Sequence, residues 1–154
     1  MIDFTFKPIY NKNPKILILG SFPSVKSREY NFYYSNPQNR FWKMLSLIYK
    51  DNLPETIDQK KNLILDHNLA LYDAIKMCDI KASSDLSIRN EISTDIDPII
   101  ENSNIQKILC NGKKSFDIVT KKMNKKAIQM PSTSSANARY SLKDLVEIWG
   151  KELL

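Results

Sequence analysis

Short apolar runs alternate with longer amphipathic segments along this chain. Four runs are almost entirely apolar and end at polar or turn-forming residues, as buried strands do. They cover residues 15–20, 68–72, 107–111 and 127–130. Helical spacing of apolar positions predicts helices over residues 37–49, 57–66, 95–102, 112–124 and 141–154. Buried strands separated by helices are typical of parallel sheets covered on both faces. We therefore predict the α/β class: a three-layer α/β/α fold around a central, mostly parallel four-stranded sheet.

Two segments add detail to this prediction. Ser141 precedes the last helix and Asp144 follows three residues later, a spacing that predicts a capping box. Residues 78–95 are polar and show no convincing periodicity, and a connection of that length is usually mobile or functional. The length of 154 residues predicts one domain, spanning residues 1–154.

The predicted topology brings several loops together. In parallel α/β sheets, ligands bind in the crevice beyond the carboxyl ends of the strands. The loops that follow the predicted strands are residues 21–36, the residues from Asp73 onward, residues 111–114 and residues 131–140. We expect the binding site where these loops meet.

The charge balance points to a class of partner. The formal net charge of +6 and the pI near 9.2 favour a polyanion, because each neutralised phosphate releases counterions. Evenly spread charge that only keeps the protein soluble is the alternative. No apolar run approaches the roughly 20 residues that cross a bilayer, and no secretory signal is visible. We expect a cytoplasmic protein with no membrane partner.

The scarcity of cysteine and histidine excludes several kinds of chemistry. Cys78, Cys110 and His67 are the only residues of these types. They cannot assemble a multi-ligand metal site, so we expect neither a metal nor a cofactor. His67 lies on a predicted helix far from any nucleophile motif, which disfavours Ser–His or Cys–His catalysis. We expect both cysteines to be buried free thiols.

Three loop features suit nucleic acid. Residues 131–140 are rich in hydroxyl groups and precede a helix, which suits a phosphate, although ordinary turn formers would look the same. Lysines spaced by four residues between 121 and 126 repel each other unless acidic groups lie near, so they indicate either a polyanion-binding surface or a solvated helix face. The aromatic residues 32–34 follow Lys26 and Arg28, a combination that holds unpaired bases.

Three strings of residues carry a family resemblance. They are Gly20-Ser-Phe-Pro-Ser24, Tyr33-Tyr-Ser-Asn-Pro-Gln-Asn-Arg-Phe-Trp42 and Met130-Pro-Ser-Thr-Ser-Ser-Ala-Asn-Ala138. In content and order they resemble the motifs of the uracil-DNA glycosylase superfamily, most closely its hypoxanthine-DNA glycosylase branch. We call them the first, second and third motifs. The resemblance spans nearly the whole chain and implies an enzyme that removes a damaged base.

The resemblance also implies roles in a base pocket. Mismatch-specific relatives have a water-positioning asparagine in the first motif where this chain has Phe22, so the catalytic amide is expected at Asn39 of the second motif. Tyr34 matches the aromatic residue that stacks on the extruded base, with Phe22 as a second wall and Ser21 beside it. Asp73 matches a residue that reads the base edge. Each has a structural alternative: Asn39 or Asp73 as a helix cap, and Tyr34 as a packed loop residue.

The third motif implies contacts to DNA. The resemblance assigns phosphate binding to Ser132, Thr133 and Ser134, and Lys113 is a further candidate. Arg139 is the predicted wedge that fills the gap left by the extruded base, with Asn137 as second choice. A proline common in this motif is replaced by Ser135.

Together these features predict a monofunctional DNA glycosylase that acts as a monomer on DNA containing a deaminated base, with hypoxanthine as the first choice. A uracil or G:T/U mismatch glycosylase is the alternative. A non-catalytic module that binds single-stranded nucleic acid is a further alternative. A nucleotide-binding α/β enzyme is disfavoured because no Gly-rich phosphate loop is present.

Overall fold

A computed structural model describes all residues, 1–154. The strands are β1 (Ile2–Asp3), β2 (Ile16–Gly20), β3 (Leu69–Asp73), β4 (Ile75–Asp79), β5 (Arg89–Ser93), β6 (Lys107–Asn111) and β7 (Ile128–Met130). The helices are α1 (Val25–Tyr30), α2 (Phe41–Tyr49), α3 (Ile57–Asp66), α4 (Asp97–Glu101), α5 (Lys113–Asp117) and α6 (Leu142–Leu153). A 3₁₀ turn covers Asp85–Ser87, and α5 continues into a π-helical turn at Ile118–Lys122.

The central sheet has four parallel strands in the order β3-β2-β6-β7. The register places Gly20 opposite Asp73 and Asn111 opposite Met130, so the four strands end close together at one edge. The predicted α/β class with a parallel four-stranded sheet is confirmed, and every pairing within this sheet is parallel.

Side chains of the sheet alternate between two apolar clusters, because successive strand residues point to opposite faces. Ile18 joins the cluster built by α2, α3 and α6, whose centre includes the fully buried Phe41 and Trp149. Leu17 and Leu19 join the second cluster, together with residues of α4, of the π-helical turn and of β4. Truncating a buried aromatic residue such as Trp149 to alanine would cost about 3–5 kcal/mol of stability.

The second face departs from the prediction. A three-stranded antiparallel sheet, in the order β1-β4-β5, covers part of it. The 78–95 connection is therefore not a long irregular loop, since it contains the end of β4, the 3₁₀ turn and β5. Strand β5 could not be predicted from the sequence, because its side chains are at least partly exposed. The register of its pairing with β4 also shifts twice, which removes the apolar alternation of a regular strand.

Helix boundaries differ most from the prediction at two places. Helix α2 begins at Phe41 and not at residue 37, because residues 36–39 form a turn in which the Asn39 N–H donates to the Asn36 carbonyl at 2.9 Å. The predicted helix over residues 112–124 is divided between α5 and the π-helical turn. The capping box of Ser141 and Asp144 is confirmed by reciprocal bonds of 3.0 and 3.1 Å. None of the helices is long and apolar enough to cross a membrane.

Candidate active site

The four parallel strands end at the floor of a cleft of about 1200 Å³. Its lining includes the last residue of each strand: Gly20, Asp73, Asn111 and Met130. The sequence predicted a binding site at this position, because the carboxyl ends of parallel strands meet at one edge of a sheet.

Gly20 leaves room for two side chains at this floor. A Cβ atom built at Gly20 would lie 2.5 Å from Asp73 Oδ1 and 2.7 Å from the Tyr34 hydroxyl oxygen. Real Cβ atoms do not approach other atoms so closely, so any larger residue would displace one of these groups. The glycine is therefore required by close approach and not by its backbone angle.

Asp73 is almost fully buried, with 5% of its surface exposed, and it lines the cleft. No protein group donates a hydrogen bond to its carboxyl group, while its backbone carbonyl accepts one from Thr94 Oγ1 at 2.7 Å. Burial first, and then the neighbouring carboxylate of Asp85, raise the pKa of Asp73 to about 8. The side chain thus does not cap a helix, and its hydrogen-bonding capacity is free for a ligand.

Asp85 reaches the cleft from the 3₁₀ turn. Both of its carboxylate oxygens lie 2.9 Å from Ser21 Oγ, which donates to them. Burial raises the pKa of Asp85, while the Ser21 hydrogen bond and the charge of Lys114 act in the opposite direction. Two carboxyl groups therefore share this end of the cleft, and the second comes from a segment that the sequence left unassigned.

Tyr34 lies in a different environment from the other two aromatic residues of the segment 32–34. Phe32 and Tyr33 are buried in the apolar cluster of α2, α3 and α6, with 6% and 2% of their surfaces exposed. The Tyr34 ring stacks on Phe41 at 4.2 Å between centroids and 25° between planes. Its hydroxyl accepts a hydrogen bond from Asn111 Nδ2 at 3.1 Å. Tyr34 is thus both a packed loop residue and part of the cleft lining.

A chain of buried hydrogen bonds orients Asn39. Thr133 N–H donates to Asn111 Oδ1, Asn111 Nδ2 donates to Thr133 Oγ1, and Thr133 Oγ1 donates to Asn39 Oδ1, at 3.0, 3.0 and 2.9 Å. Phe41 N–H also donates to Asn39 Oδ1, at 2.9 Å. Because an amide oxygen only accepts, these two donors fix the amide orientation and leave the Nδ2 hydrogens of Asn39 for the cleft. Asn39 therefore accepts a hydrogen bond from the first N–H of α2 and still has both Nδ2 hydrogens free to donate.

Arg40 holds the third motif in place. Its guanidinium donates to the carbonyls of Thr133, Ser134, Asn137 and Tyr140, at 3.3, 2.8 and 3.0 Å for the first three. Its backbone N–H also donates to the Thr133 carbonyl at 3.0 Å. One arginine next to Asn39 thus ties the second motif to the third.

Comparison with known proteins gives the family. The model of the uracil DNA glycosylase superfamily matches residues 7–151. A hypoxanthine DNA glycosylase from Methanosarcina acetivorans is 33% identical over 145 residues, which cover 92% of each chain. A hypoxanthine DNA glycosylase from Methanosarcina barkeri is 32% identical over 155 residues, which cover 95% of this chain and 94% of the relative.

A solved structure agrees with these relatives. The solution NMR structure of a proposed uracil DNA glycosylase from Methanosarcina acetivorans superposes with a TM-score of 0.83 at 29% identity. The match covers 99% of this chain and 97% of that one. The chain belongs to the uracil-DNA glycosylase superfamily. The resemblance carried by the three motifs is confirmed at the level of the family.

Within this superfamily fold, nearly all the predicted site residues meet in the same cleft. Its lining contains Ser21, Phe22, Tyr34, Asn39, Asp73, Lys113, Ser132, Ser134, Asn137 and Arg139. Phe22 keeps 6% of its surface exposed and has the Arg28 guanidinium 5.6 Å from its ring centroid. Phe22 of the first motif thus lines the cleft while its ring packs in the second apolar cluster.

Thr133 lies elsewhere than the superfamily resemblance implied. Its side chain is fully buried, at 0% exposure, behind the cleft lining. The hydroxyl bridges Asn111 and Asn39 and is not presented at the surface, where a phosphate would lie. Its position indicates a positioning role, while Ser132 and Ser134 of the same motif remain half-buried at the cleft.

The rim of the cleft carries the predicted cations. Arg139 is exposed, with its guanidinium 5.8 Å from the Tyr140 ring centroid. Lys113 is exposed and pairs with Asp117 at 2.7 Å. The Asn137 amide donates to the Ser132 carbonyl at 3.0 Å, so this side chain stabilises the loop.

Three of the four lysines between 121 and 126 have acidic neighbours. Lys121 pairs with Asp117 at 3.7 Å, Lys122 with Glu91 at 3.6 Å and Lys125 with Asp97 at 2.9 Å. These counter-charges relieve the repulsion that the spacing suggested, and none of the four lysines lines the cleft. Both observations favour the solvated-face interpretation over a polyanion-binding surface.

Sequence reasoning missed Asp85, Arg40 and Asn111 as members of the site. Asn111 ends a predicted strand beside Gly112, so its position at the carboxyl end was an available signal. Arg40 lies inside the second motif, but its sequence context does not distinguish a loop tether from a DNA contact. Asp85 had no signal, because its segment shows no periodicity.

Proposed function

We propose that this protein is a monofunctional DNA glycosylase that removes hypoxanthine from deoxyinosine by hydrolysing the N-glycosidic bond. The observation that carries the proposal is the pairing, in one cleft, of a buried carboxyl group without a protein partner and an amide whose donors are free. Asp73 supplies the first and Asn39 the second. The relatives named hypoxanthine DNA glycosylase support the choice of base.

Recognition begins when the damaged nucleotide leaves the helix. Extrusion costs a few kcal/mol, and less when the base pair is already weak, so weak pairing contributes to selectivity. In the cleft, Tyr34 provides a stacking surface and Phe22 an apolar edge. Asp73 accepts the N1–H of hypoxanthine. Where its carboxyl group is protonated, the O–H also donates to O6, so that two hydrogen bonds hold the lactam edge of the base.

Bond cleavage then follows from charge stabilisation. As the bond between C1′ and N9 breaks, its electron pair leaves with the base and an oxocarbenium-like sugar forms. Water attacks C1′, loses a proton to solvent, and the departing base takes up a proton. The Nδ2 hydrogens of Asn39 orient this water or stabilise the charge developing on the base. Such preorganised donors contribute more than proton abstraction at a reaction of this kind.

The rim would hold the DNA on either side of the extruded nucleotide. Ser132, Ser134 and Lys113 are proposed to contact phosphates, in keeping with the net charge of +6. We also propose that the protein acts as a monomer, since one copy contains all the groups that the mechanism uses. We further propose that it acts in the cytoplasm.

A panel of lesions tests the function. Duplexes with one hypoxanthine, uracil, xanthine or mismatched thymine are incubated with the protein and then treated with alkali, which cleaves abasic sites. We expect strand cleavage with hypoxanthine at the highest rate. Cleavage of the uracil duplex alone would favour the alternative of a uracil-specific glycosylase, which agrees with the name of the solved neighbour. No cleavage of any duplex would overturn the enzyme proposal.

A further inference from the structure

Leu86 has 90% of its surface exposed, more than any other large apolar side chain of the protein, including those at the chain ends. It lies in the 3₁₀ turn Asp85–Ser87 and lines the cleft. A single exposed leucine is ordinary on a protein surface. The structure around this leucine, and not its exposure alone, distinguishes it from the other exposed apolar residues.

The turn that carries Leu86 is held firmly from within. Ser87 Oγ donates to the Ser84 carbonyl at 2.6 Å and accepts from the Lys81 N–H at 2.8 Å. The next residue, Ile88, is 1% exposed and packs in the second apolar cluster. The leucine therefore stands on a structured turn and not on a frayed loop tip.

Further hydrogen bonds tie this turn to the first motif and to α1. Ser21 Oγ donates to the Asp85 carboxylate (2.9 Å), Val25 N–H to Ser83 Oγ (2.9 Å) and Arg28 Nη2 to the Ala82 carbonyl (3.3 Å). Asp85 points into the cleft from the position next to Leu86, so the backbone that carries the leucine is fixed relative to the base pocket. A segment whose backbone is ordered before binding loses less entropy when it contacts a partner.

Cationic residues precede and follow the exposed leucine along the chain. Lys81 and Arg89 are both exposed, and Arg89 Nη1 donates to the Leu86 carbonyl at 3.0 Å. An apolar tip between cations suits duplex DNA, because the tip can enter the base stack while the cations approach the phosphates on either side.

We propose that Leu86 is the wedge that enters the base stack when the target nucleotide is extruded into the cleft. The inference rests on the proposed glycosylase function. Extrusion leaves a gap and removes stacking worth a few kcal/mol, which an inserted apolar side chain partly replaces. The third motif, where the resemblance places this role, offers only Arg139 and Asn137. Arg139 lies over Tyr140, and the Asn137 amide bonds within its own loop.

The test compares duplex and single-stranded substrates, because a wedge is needed only where a base must leave a stack. The same deoxyinosine oligonucleotide is used alone and paired with its complement, and excision is measured under single-turnover conditions. We expect Leu86→Ala to lower the duplex rate about 10-fold or more while the single-strand rate changes less than about twofold. Leu86→Met, which keeps a long apolar side chain, should retain most of the duplex rate.

Two control variants sharpen this experiment. Leu53→Ala truncates another exposed leucine, at 47% exposure, between α2 and α3, and should leave both rates unchanged. Arg139→Ala tests the competing wedge. An unchanged ratio of duplex to single-strand rates in Leu86→Ala would overturn the proposal, and so would a fall of that ratio only in Arg139→Ala. Because Leu86 makes little contact with the core, the melting temperature of Leu86→Ala should equal that of the wild type.

A second measurement separates the wedge from the chemistry. A 2-aminopurine placed next to deoxyinosine in the duplex becomes fluorescent when its stacking is disturbed. The wild-type protein should raise this fluorescence and Leu86→Ala should not, even if no base is released. Equal fluorescence with both proteins would overturn the wedge. If the wild type raised the fluorescence, Leu86→Ala did not, and neither protein excised a base, the proposed function would be overturned and the wedge role of Leu86 would stand.

Discussion

The floor and the rim of the cleft are built on different principles. At the floor, Asp73, Asn111 and Thr133 have 5%, 6% and 0% of their surfaces exposed, and the Thr133 hydroxyl links Asn111 to Asn39 by hydrogen bonds. At the rim, Lys113 and Arg139 are exposed cations. Floor groups are oriented before DNA arrives, whereas rim groups act through charge and are screened by salt. Changes at the floor should therefore alter the rate of bond cleavage, and changes at the rim should alter DNA affinity.

The largest effect is expected at Asn39. Asn39→Asp keeps an oxygen for the Phe41 N–H and the Thr133 hydroxyl, so the fold should be retained, but it removes both Nδ2 hydrogens. We expect the single-turnover excision rate to fall about 100- to 1000-fold. DNA affinity, measured by fluorescence anisotropy, should change little. A variant with wild-type rate would remove Asn39 from the chemistry.

A smaller effect is expected from the bridge behind the floor. Thr133→Val keeps the shape of the side chain but removes one of the two hydrogen bonds of Asn111 Nδ2 and one of the two accepted by Asn39 Oδ1, and the loss of both costs about 1–3 kcal/mol of stability. Excision should fall about 10-fold, because Asn39 loses its orientation. Thr120→Val, which removes a hydroxyl bonded to the Phe116 carbonyl far from the cleft, is the matched control. Equal rates in the two variants would show that Thr133 does not position Asn39.

The buried carboxyl group predicts a pH dependence of stability. The pKa of Asp73 is raised from its ordinary 3.8 to about 8, so between these values the folded protein holds a proton that the unfolded chain has released. The free energy of unfolding therefore falls as pH rises from about 4 to about 8, and the stabilisation by the bound proton is lost above about 8. Asp73→Asn removes this dependence.

Melting temperatures between pH 5 and 8.5 check this prediction. The wild type should lose stability relative to Asp73→Asn as pH rises, so that the two curves diverge toward alkaline pH. The exposed Asp66, replaced by asparagine, serves as the control and should give a curve parallel to that of the wild type. Parallel curves for Asp73→Asn would contradict the assignment of a buried, protonated carboxyl group.

The smallest effects are expected at the rim. Lys113→Ala and Arg139→Ala should each weaken DNA binding a few-fold and reduce the slope of log affinity against log salt by about 1. The excision rate at saturating protein should not change. Lys61→Ala, an exposed lysine of α3 that does not line the cleft, should leave the slope unchanged. A lower excision rate of Lys113→Ala at saturating protein would contradict the assignment of catalysis to the floor and of DNA affinity to the rim.

Much of the floor could be predicted from sequence, because its residues follow strongly apolar strands. Buried runs define β2, β3, β6 and β7, and a parallel sheet brings their carboxyl ends together. Gly20, Asp73 and the loops after them could therefore be placed in one site from the sequence alone.

The missing parts depend on tertiary contacts without a local signature. Strand β5 is mostly exposed and irregularly paired, so no periodicity marks it or the turn that carries Asp85. Arg40 is a charged residue in a loop, and only the fold shows that it binds four carbonyl groups and not DNA. Thr133 could not be distinguished from Ser132 and Ser134, since burial separates residues that the sequence presents as equivalent.

The most direct test of the account is the release of the free base. A deoxyinosine duplex is incubated with excess wild-type protein, and the small-molecule fraction is analysed by chromatography and mass spectrometry, with Asn39→Asp as the control. The account predicts one equivalent of hypoxanthine per duplex, an intact strand until alkali is added, and little base from the variant. A strand broken without alkali, or no free hypoxanthine from the wild type, would contradict it.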